Sequence, residues 1–425
     1  MSENKGPLAP VGKAKRLFRL PERYSALPGE KYVDVLDGVR AVLIFLVGWF
    51  HIWQQSWLTP YAVINGSYHS LDPLLRSGYI WVDGMILLSG FLLYLPYTRR
   101  PWQKGDGKRF FLRRFARIYP SYALNVLVFF FIRYNAYGGT ADRLKDLFAH
   151  LTLTHTFSYA TYYASPLNGA LWTVGVEVWF YLLFPFVCRL FQHSKVWTFA
   201  GMLLVAFGFR AWAATLTDTA MVFNQLPAFL DVYALGFAGA EMYCALRERL
   251  RGTDGRIKGF FALTFLVCVL FLARLVTEQA SRNGQDKIRL GQMEIRFVLA
   301  LALTGAMISA AFTFAGVRFL LGNRVMTFLA SVSFQFYMYH QALAVIMKEN
   351  RWIPSRSLTP NVDGEWPWQI VYTLACFLVP LLLGALLTYG FERPVARRIL
   401  GAFRPKEPPK EAGQGKDAAS GGDGQ

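Results

Sequence analysis

Residues 36–51 read LDGVRAVLIFLVGWFH. Ten uncharged residues separate Arg40 from His51, and no further Asp, Glu, Lys or Arg appears until Asp72. A hydrocarbon layer about 30 Å thick is crossed by ~20 such residues, and only as a helix, which satisfies its own backbone polar groups where water is absent. This stretch is expected to span a membrane. The pattern recurs at 84–98, 259–273, 297–317 and 325–347, each free of the four charged residue types.

Of the 425 residues, 54% are apolar and 17% charged, and the charges cluster between the apolar runs. A soluble domain needs charges spread over its whole surface. The chain therefore reads as an all-α polytopic membrane protein, which excludes a soluble enzyme and a disordered scaffold. It also sets aside a nucleic-acid binder, despite a net charge of +18 and a pI near 9.8. The four cysteines lie in or at the ends of apolar segments without CxxC spacing, so they read as small core residues and imply neither a disulfide framework nor a metal site.

About ten transmembrane helices are expected, at 38–58, 78–98, 118–137, 169–191, 196–216, 226–246, 258–276, 295–316, 325–347 and 368–391. Short cytoplasmic loops retain Lys and Arg. With the N-terminus inside, the inner segments hold more than twice the basic residues of the outer ones, and an even number of spans places both termini in the cytoplasm. Residues 1–31 form a basic cytoplasmic tail without a signal-peptide pattern, so no cleavage is expected. Residues 32–394 form the membrane domain, and 395–425 a cytoplasmic tail expected to be disordered. No internal repeat marks a transporter built of inverted halves.

Ionisable groups inside a bilayer are costly and so are functional candidates. The set is Arg40, His51, Asp83, Glu177, Asp231, Glu241 and His340, with Arg114 and Arg117 at the inner surface. Eleven steps of about 100° bring Arg40 and His51 to one helix face, about 16 Å apart along the axis. An anion clamp and a titratable base would thus share a stripe, and Gly48 beside it admits a close neighbour or a slender ligand. A snorkelling anchor and an interior histidine bridging two helices are the plainer readings of the same residues.

The segment KRFFLRRFARIYP sets Arg114 and Arg117 three apart, with Pro120 suited to the first turn of the next helix. Their guanidinium forks suit phosphate oxygens, of a ligand or of lipid head groups. In NGALWTVGVEVWFYLLFP, Thr173, Glu177 and Tyr181 make one polar stripe, and the buried carboxylate needs a partner, for which His51 or an arginine is expected. In SVSFQFYMYHQAL, Ser333, Tyr337 and His340 or Gln341 line one face. Asp83, Asp231 and Glu241 read as helix-pairing or near-terminal residues.

In order along the chain, LDGVR with His51 ten residues on, VDGMILLSGFLL, RRFARIYP, ALWTVGVEVWFYLLFP, SFQFYMYHQ and the closing FERP resemble the acyltransferase 3 family of integral membrane acyltransferases. The resemblance runs over residues 32–394. It implies about ten transmembrane helices and transfer of an acyl group, commonly acetyl from acetyl-CoA, to a hydroxyl of a carbohydrate or other envelope acceptor. The family's essential Arg and His match Arg40 and His51, its RxxR pair matches Arg114 and Arg117, and the Trp and Glu of its fourth-span motif match Trp172 and Glu177. The chain departs from the family pattern at Ile86 to Leu88, where paired Phe is usual, and at Ser333-Phe334, where Ser-Tyr is usual. Both departures keep apolar character. Many members carry a further soluble esterase-like domain, which is expected here on a separate chain if it exists.

The expected chemistry has acyl-CoA entering from the cytoplasm as co-substrate, with no permanently bound cofactor and no metal. Arg114 and Arg117 hold its phosphates, and Arg40 guides the pantetheine arm toward His51. His51 acts as general base on the acceptor hydroxyl with Glu177 orienting it, while Trp172, Tyr181 and His340 line the substrate path. An acyl-histidine relay is the variant. The expected partners are a carbohydrate or glycolipid acceptor and the lipid bilayer, the expected location a bacterial inner (plasma) membrane. A transporter or channel using the same polar groups, or a structural subunit, are the other classes. Outer aromatic segments at 53–61 and 159–163 suit sugar stacking or an interfacial belt.

Overall fold

The computed structural model describes residues 33–250 and 254–403. The basic tail at 1–31 and residues 404–425 lie outside them. Ten long helices form the body: α1 (Val35–Ser56), α2 (Trp81–Tyr94), α3 (Asp106–Ile132), α4 (Trp172–His193), α5 (Lys195–Ala213), α6 (Leu230–Arg249), α7 (Gly255–Ala280), α8 (Gln285–Phe312), α9 (Arg324–Glu349) and α10 (Trp366–Leu387). Nine of the helical segments among the described residues are long and apolar enough to cross a membrane. The long helix outside that set is α9, whose Gln335, Tyr337, Tyr339, His340 and Gln341 lower its hydropathy. Those same residues are what it brings to the interior. The chain is an all-α polytopic membrane protein; one hairpin, Tyr61–Ile64 paired with Ser67–Ser70 through Asn65-Gly66 at positive φ, is the exception among the described residues.

The start of α1 is fixed by Asp34, whose side chain accepts from the Val35 amide at 3.0 Å, and its end by Trp57 in a left-handed conformation that returns its amide to the Trp53 carbonyl. α1 packs along α9 and against α2, while α2 lies along α6. Apolar burial drives little helix association in lipid, so close backbone approach matters more. At the α2–α6 crossing a Cβ on Gly236 would stand 2.6 Å from the Leu87 carbonyl oxygen, so only glycine fits there. α2 and α8 are mostly buried, whereas α5, α7 and α10 turn apolar side chains outward as the lipid-facing ring.

Three boundaries differ from the sequence-based expectation. α3 begins at Asp106, twelve residues before the expected span, so the whole KRFFLRRFARIYP segment is helical and Pro120 lies inside the helix instead of opening it. α8 begins at Gln285, ten residues early, which moves Arg296 from the end of the expected span to the helix interior. Residues 395–402, expected to be disordered, are helical. The chain leaves α10 through a π-helical segment, Thr388–Glu392, into the helix Arg393–Ala402, which packs against α3. Pro394 at the first turn and an amphipathic RPVARRILGA pattern explain it: basic residues face water while the apolar side gains a neighbour.

Candidate active site

Below, inner and outer follow the orientation assigned from the basic residues. Arg40 on α1, Arg114 and Arg117 on α3, Thr173, Glu177 and Tyr181 on α4, and Ser333 and Tyr337 on α9 line one cleft of about 130 Å³. Four separate spans thus contribute the polar stripes to a single space. Arg114 sits between the rings of Phe110 and Tyr181, 5.7 and 5.4 Å from their centroids, in cation–π contact. The Tyr181 hydroxyl donates to Glu177 Oε2 at 2.9 Å. Arg40 lies within electrostatic reach of both Arg117 and Glu177. None of the three arginines makes a direct ion pair among the described residues, so their donors remain available to an anion.

The cleft opens inward into a larger vestibule of about 510 Å³ that shares Leu92, Arg114 and Arg117 with it. Arg100, Arg109 and Arg113 join the wall, and Asp106 is taken up by Arg100 at 2.7 Å. Of these, Arg109 and Arg113 escaped the sequence reading because an expected helix start at 118 left them in a loop, where Arg100 does lie. Once α3 is extended to 106, Arg109, Arg113 and Arg117 recur at four-residue intervals along one side of it. A field of one sign at the mouth of a low-dielectric cleft concentrates anions.

His51 and His340 are absent from the cleft lining and sit directly beyond its outer end. His51 Nδ1 lies 2.9 Å from His340 Nε2, and His340 Nδ1 lies 2.6 Å from the Tyr337 carbonyl oxygen. A carbonyl can only accept, so His340 Nδ1 carries the proton. In a neutral His340 ring, Nε2 is then an acceptor, which His51 Nδ1–H must fill. His51 Nε2 is left with its lone pair unprotonated. One carbonyl thereby sets the tautomer of both rings. Gly48 makes the contact possible: a Cβ there would press to 2.8 Å on the Phe336 ring and 3.8 Å from His340 Cδ2. His51 is half-buried.

Two placements differ from expectation. The hydrogen-bond partner of His51 is His340 rather than Glu177, whose carboxylate is engaged one turn along α4 by Tyr181. Trp172 stacks on Phe229 with centroids 6.1 Å apart and does not line the cleft. Within the cleft lining, the Thr173 and Tyr337 hydroxyls lie 3.0 Å apart.

A second buried polar group lies nearer the outer surface. Asp83 on α2 pairs with Arg296 on α8 at 3.2 Å, and Arg210 on α5 pairs with Asp231 on α6. Arg296 also donates to the Phe223 and Ala228 carbonyls and covers the Phe229 ring at 3.9 Å. Asp83 and Asp231 read from sequence as helix-pairing residues. Their cationic partners were missed, Arg296 because the boundary placed it at a span end, and Arg210 although it fell inside an expected span.

The fold and site define a class, that of a multi-pass membrane protein with an arginine-lined cleft ending at a paired imidazole. Residues 33–385 match the profile of the family described as Acyltransferase domain, and the chain belongs to that acyltransferase 3 family. This decides among the three classes left open by the sequence in favour of an acyltransferase. Similar proteins include a putative acetyltransferase, ORF330, of Acidianus two-tailed virus, 22% identical over 73% of this chain and 83% of its own length. O-acetyltransferase OatA of Staphylococcus aureus is 22% identical over 92% of this chain and 60% of its own length. Peptidoglycan O-acetyltransferase OatA of Listeria monocytogenes is 28% identical over 38% of this chain and 24% of its length. The chain thus spans less than two thirds of the length of these two bacterial relatives. No solved structure matches it.

Proposed function

We propose that this protein is an O-acyltransferase that takes an acyl group, acetyl in the first place, from acyl-CoA on the inner side and passes it to a hydroxyl of a carbohydrate or glycolipid acceptor. The observation that carries the reading is the succession of spaces from the arginine-lined vestibule, through the cleft that shares Leu92, Arg114 and Arg117 with it, to Tyr337 and the imidazole pair it adjoins. A basic mouth suits the phosphates of CoA, a narrow passage suits its pantetheine arm, and an unprotonated His51 Nε2 stands beyond the passage.

In this scheme Arg109, Arg113, Arg114 and Arg117 hold the phosphates and Arg40 lines the way toward His51. The thioester passes the Thr173–Tyr337 hydroxyl pair to meet the acceptor at His51. His51 Nε2 takes the proton of the acceptor hydroxyl as the oxygen attacks the thioester carbonyl. The C–O bond forms, the C–S bond breaks, and the proton returns from the imidazolium to the CoA sulfur. His340 receives the His51 Nδ1–H bond and so supports the imidazolium while it exists. Glu177 and Tyr181 set the polarity of the cleft and offset the arginine charge at its inner end.

The O-acetyltransferase names of the similar proteins support acetyl as donor group, and the peptidoglycan acceptor in one of those names supports a cell-envelope carbohydrate. A bacterial inner membrane is the matching location. The test is mass spectrometry of envelope glycans from cells with the protein, without it, and with His51→Ala. The reading requires a mass difference of one acyl group that disappears in the latter two. Identical glycans in all three would remove it.

A further inference from the structure

A third cavity, about 210 Å³, lies between α3 and α4 and shares Arg114, Ile118, Val174 and Tyr181 with the donor cleft. The backbones of α3 and α4 scarcely approach one another, unlike the closely packed α1–α9 and α2–α6 pairs. The gap between them opens sideways, where Phe115 and Leu182 are 50% and 55% exposed on the lipid-facing side. The groove follows α3 from Phe111 to Tyr122, about 16 Å of helix.

Its lining is apolar apart from the edge of Arg114 and three tyrosine hydroxyls, all engaged elsewhere. Tyr119 donates to the Leu151 carbonyl, Tyr122 to that of His150, and Tyr181 to Glu177. A hydrocarbon guest would strand no polar group there. A cavity of about 150 Å³ admits a benzene-sized guest, so this one has room for several methylenes more. An acetyl group needs none of it.

We propose that this groove receives the hydrocarbon tail of a medium-chain acyl group, such as octanoyl, carried by the CoA donor. The inference rests on the donor reading given above. Continuity selects this occupant over a bilayer tail: Ile118 and Val174 border both spaces, and Val174 adjoins Thr173, beside which the thioester must pass. A chain attached there can leave the cleft sideways between the apolar side chains of Ile118 and Val174. The transfer itself is unchanged, since only the substituent on the carbonyl differs.

The experiment uses the full chain in nanodiscs and two probes, acetyl-CoA and an octanoyl-CoA bearing a terminal diazirine. Photolysis is expected to label Phe115, Val178 or Leu182, and excess CoA to suppress the labelling. Val178→Trp lies outside the donor cleft and fills the groove. It is expected to weaken octanoyl-CoA binding at least tenfold relative to wild type in the same nanodiscs, with acetyl-CoA binding changed less than twofold. Label confined to lipid or to other helices, or equal octanoyl-CoA affinity in wild type and Val178→Trp, would overturn the groove assignment and leave the donor cleft standing. Failure of wild type to bind either probe would overturn both.

Discussion

His340 Nε2 stands 2.9 Å from His51 Nδ1 although 289 positions separate the two residues in the chain. The contact is set by the packing of α9 on α1 at Gly48, and its consequence is chemical, because the hydrogen bond that His51 Nδ1–H donates decides which nitrogen of His51 is free.

Loss of the base and loss of its orienting partner should therefore differ. His51→Ala is expected to lower acyl transfer by about 10² to 10⁴, the usual contribution of a general base. His340→Ala should cost about 10- to 100-fold, as for partners that orient a catalytic group through its second nitrogen, in kcat and not in donor KM. Nitrogen-15 NMR of labelled His51 supplies a readout that misfolding would not mimic: one tautomer in wild type and a mixture in His340→Ala. A mixture already present in wild type would contradict the hydrogen-bond chain.

On the inner side, guanidinium geometry matters beyond charge. Arg114→Lys and Arg117→Lys keep the cation but lose the bidentate fork. Each lost charge-assisted bond, ~1.5 to 3 kcal/mol, should raise the Kd for CoA about 10- to 100-fold, and wild-type binding should weaken steeply with ionic strength. Calorimetric titration with CoA at two salt concentrations measures both. Unaltered affinity in the lysine variants would assign these arginines to lipid head groups instead.

Asp83 and Arg296 are completely buried and hold α2 to α8. Asp83→Asn leaves a guanidinium without its carboxylate in a low-dielectric interior, at a cost of about 3 to 5 kcal/mol. Replacing both partners, as Asp83→Leu with Arg296→Met, should recover most of that loss, because neither charge then needs solvation. Thermal unfolding in detergent is the measurement, and a double variant no more stable than Asp83→Asn would contradict the pairing argument.

In the outer segment between α3 and α4, His155 stacks on His150 with centroids 4.3 Å apart, and His150 meets Asp146 at 3.0 Å. Burial, with the neighbouring His150, pushes the His155 imidazole down to about 2 from an ordinary 6.5. The unfolded chain then binds a proton that the folded chain refuses. The stability tied to this residue is complete above pH 6.5 and declines as pH falls from there toward 2. His155→Phe should flatten that part of the pH–stability curve, read as melting temperature between pH 7.5 and 4.5. An equally steep acid limb in wild type and variant would assign it to other groups.

Much of this was legible in the chain itself. The apolar run after Arg40 announces a span because its length matches a bilayer, and the stripe Thr173, Glu177, Tyr181 could be placed on one face from helical periodicity alone. Periodicity fails where a helix extends past its apolar part. The basic start of α3 carries no hydrophobic signal, so Arg109 and Arg113 were left in a loop, and the same error put Arg296 at the edge of an expected span when it lies inside α8.

What sequence determined by itself was the class of environment, the count of long helices and the residues too costly to bury without purpose, since those follow from local composition and a fixed rise per residue. What only the tertiary structure decided was pairing. That His51 meets His340 and not Glu177, that Asp83 meets Arg296, and that α3 and α4 stand apart enough to leave a groove depend on how helices cross. Such crossings are set by glycine contacts and side-chain shapes between segments hundreds of residues apart, which no periodicity along one segment encodes.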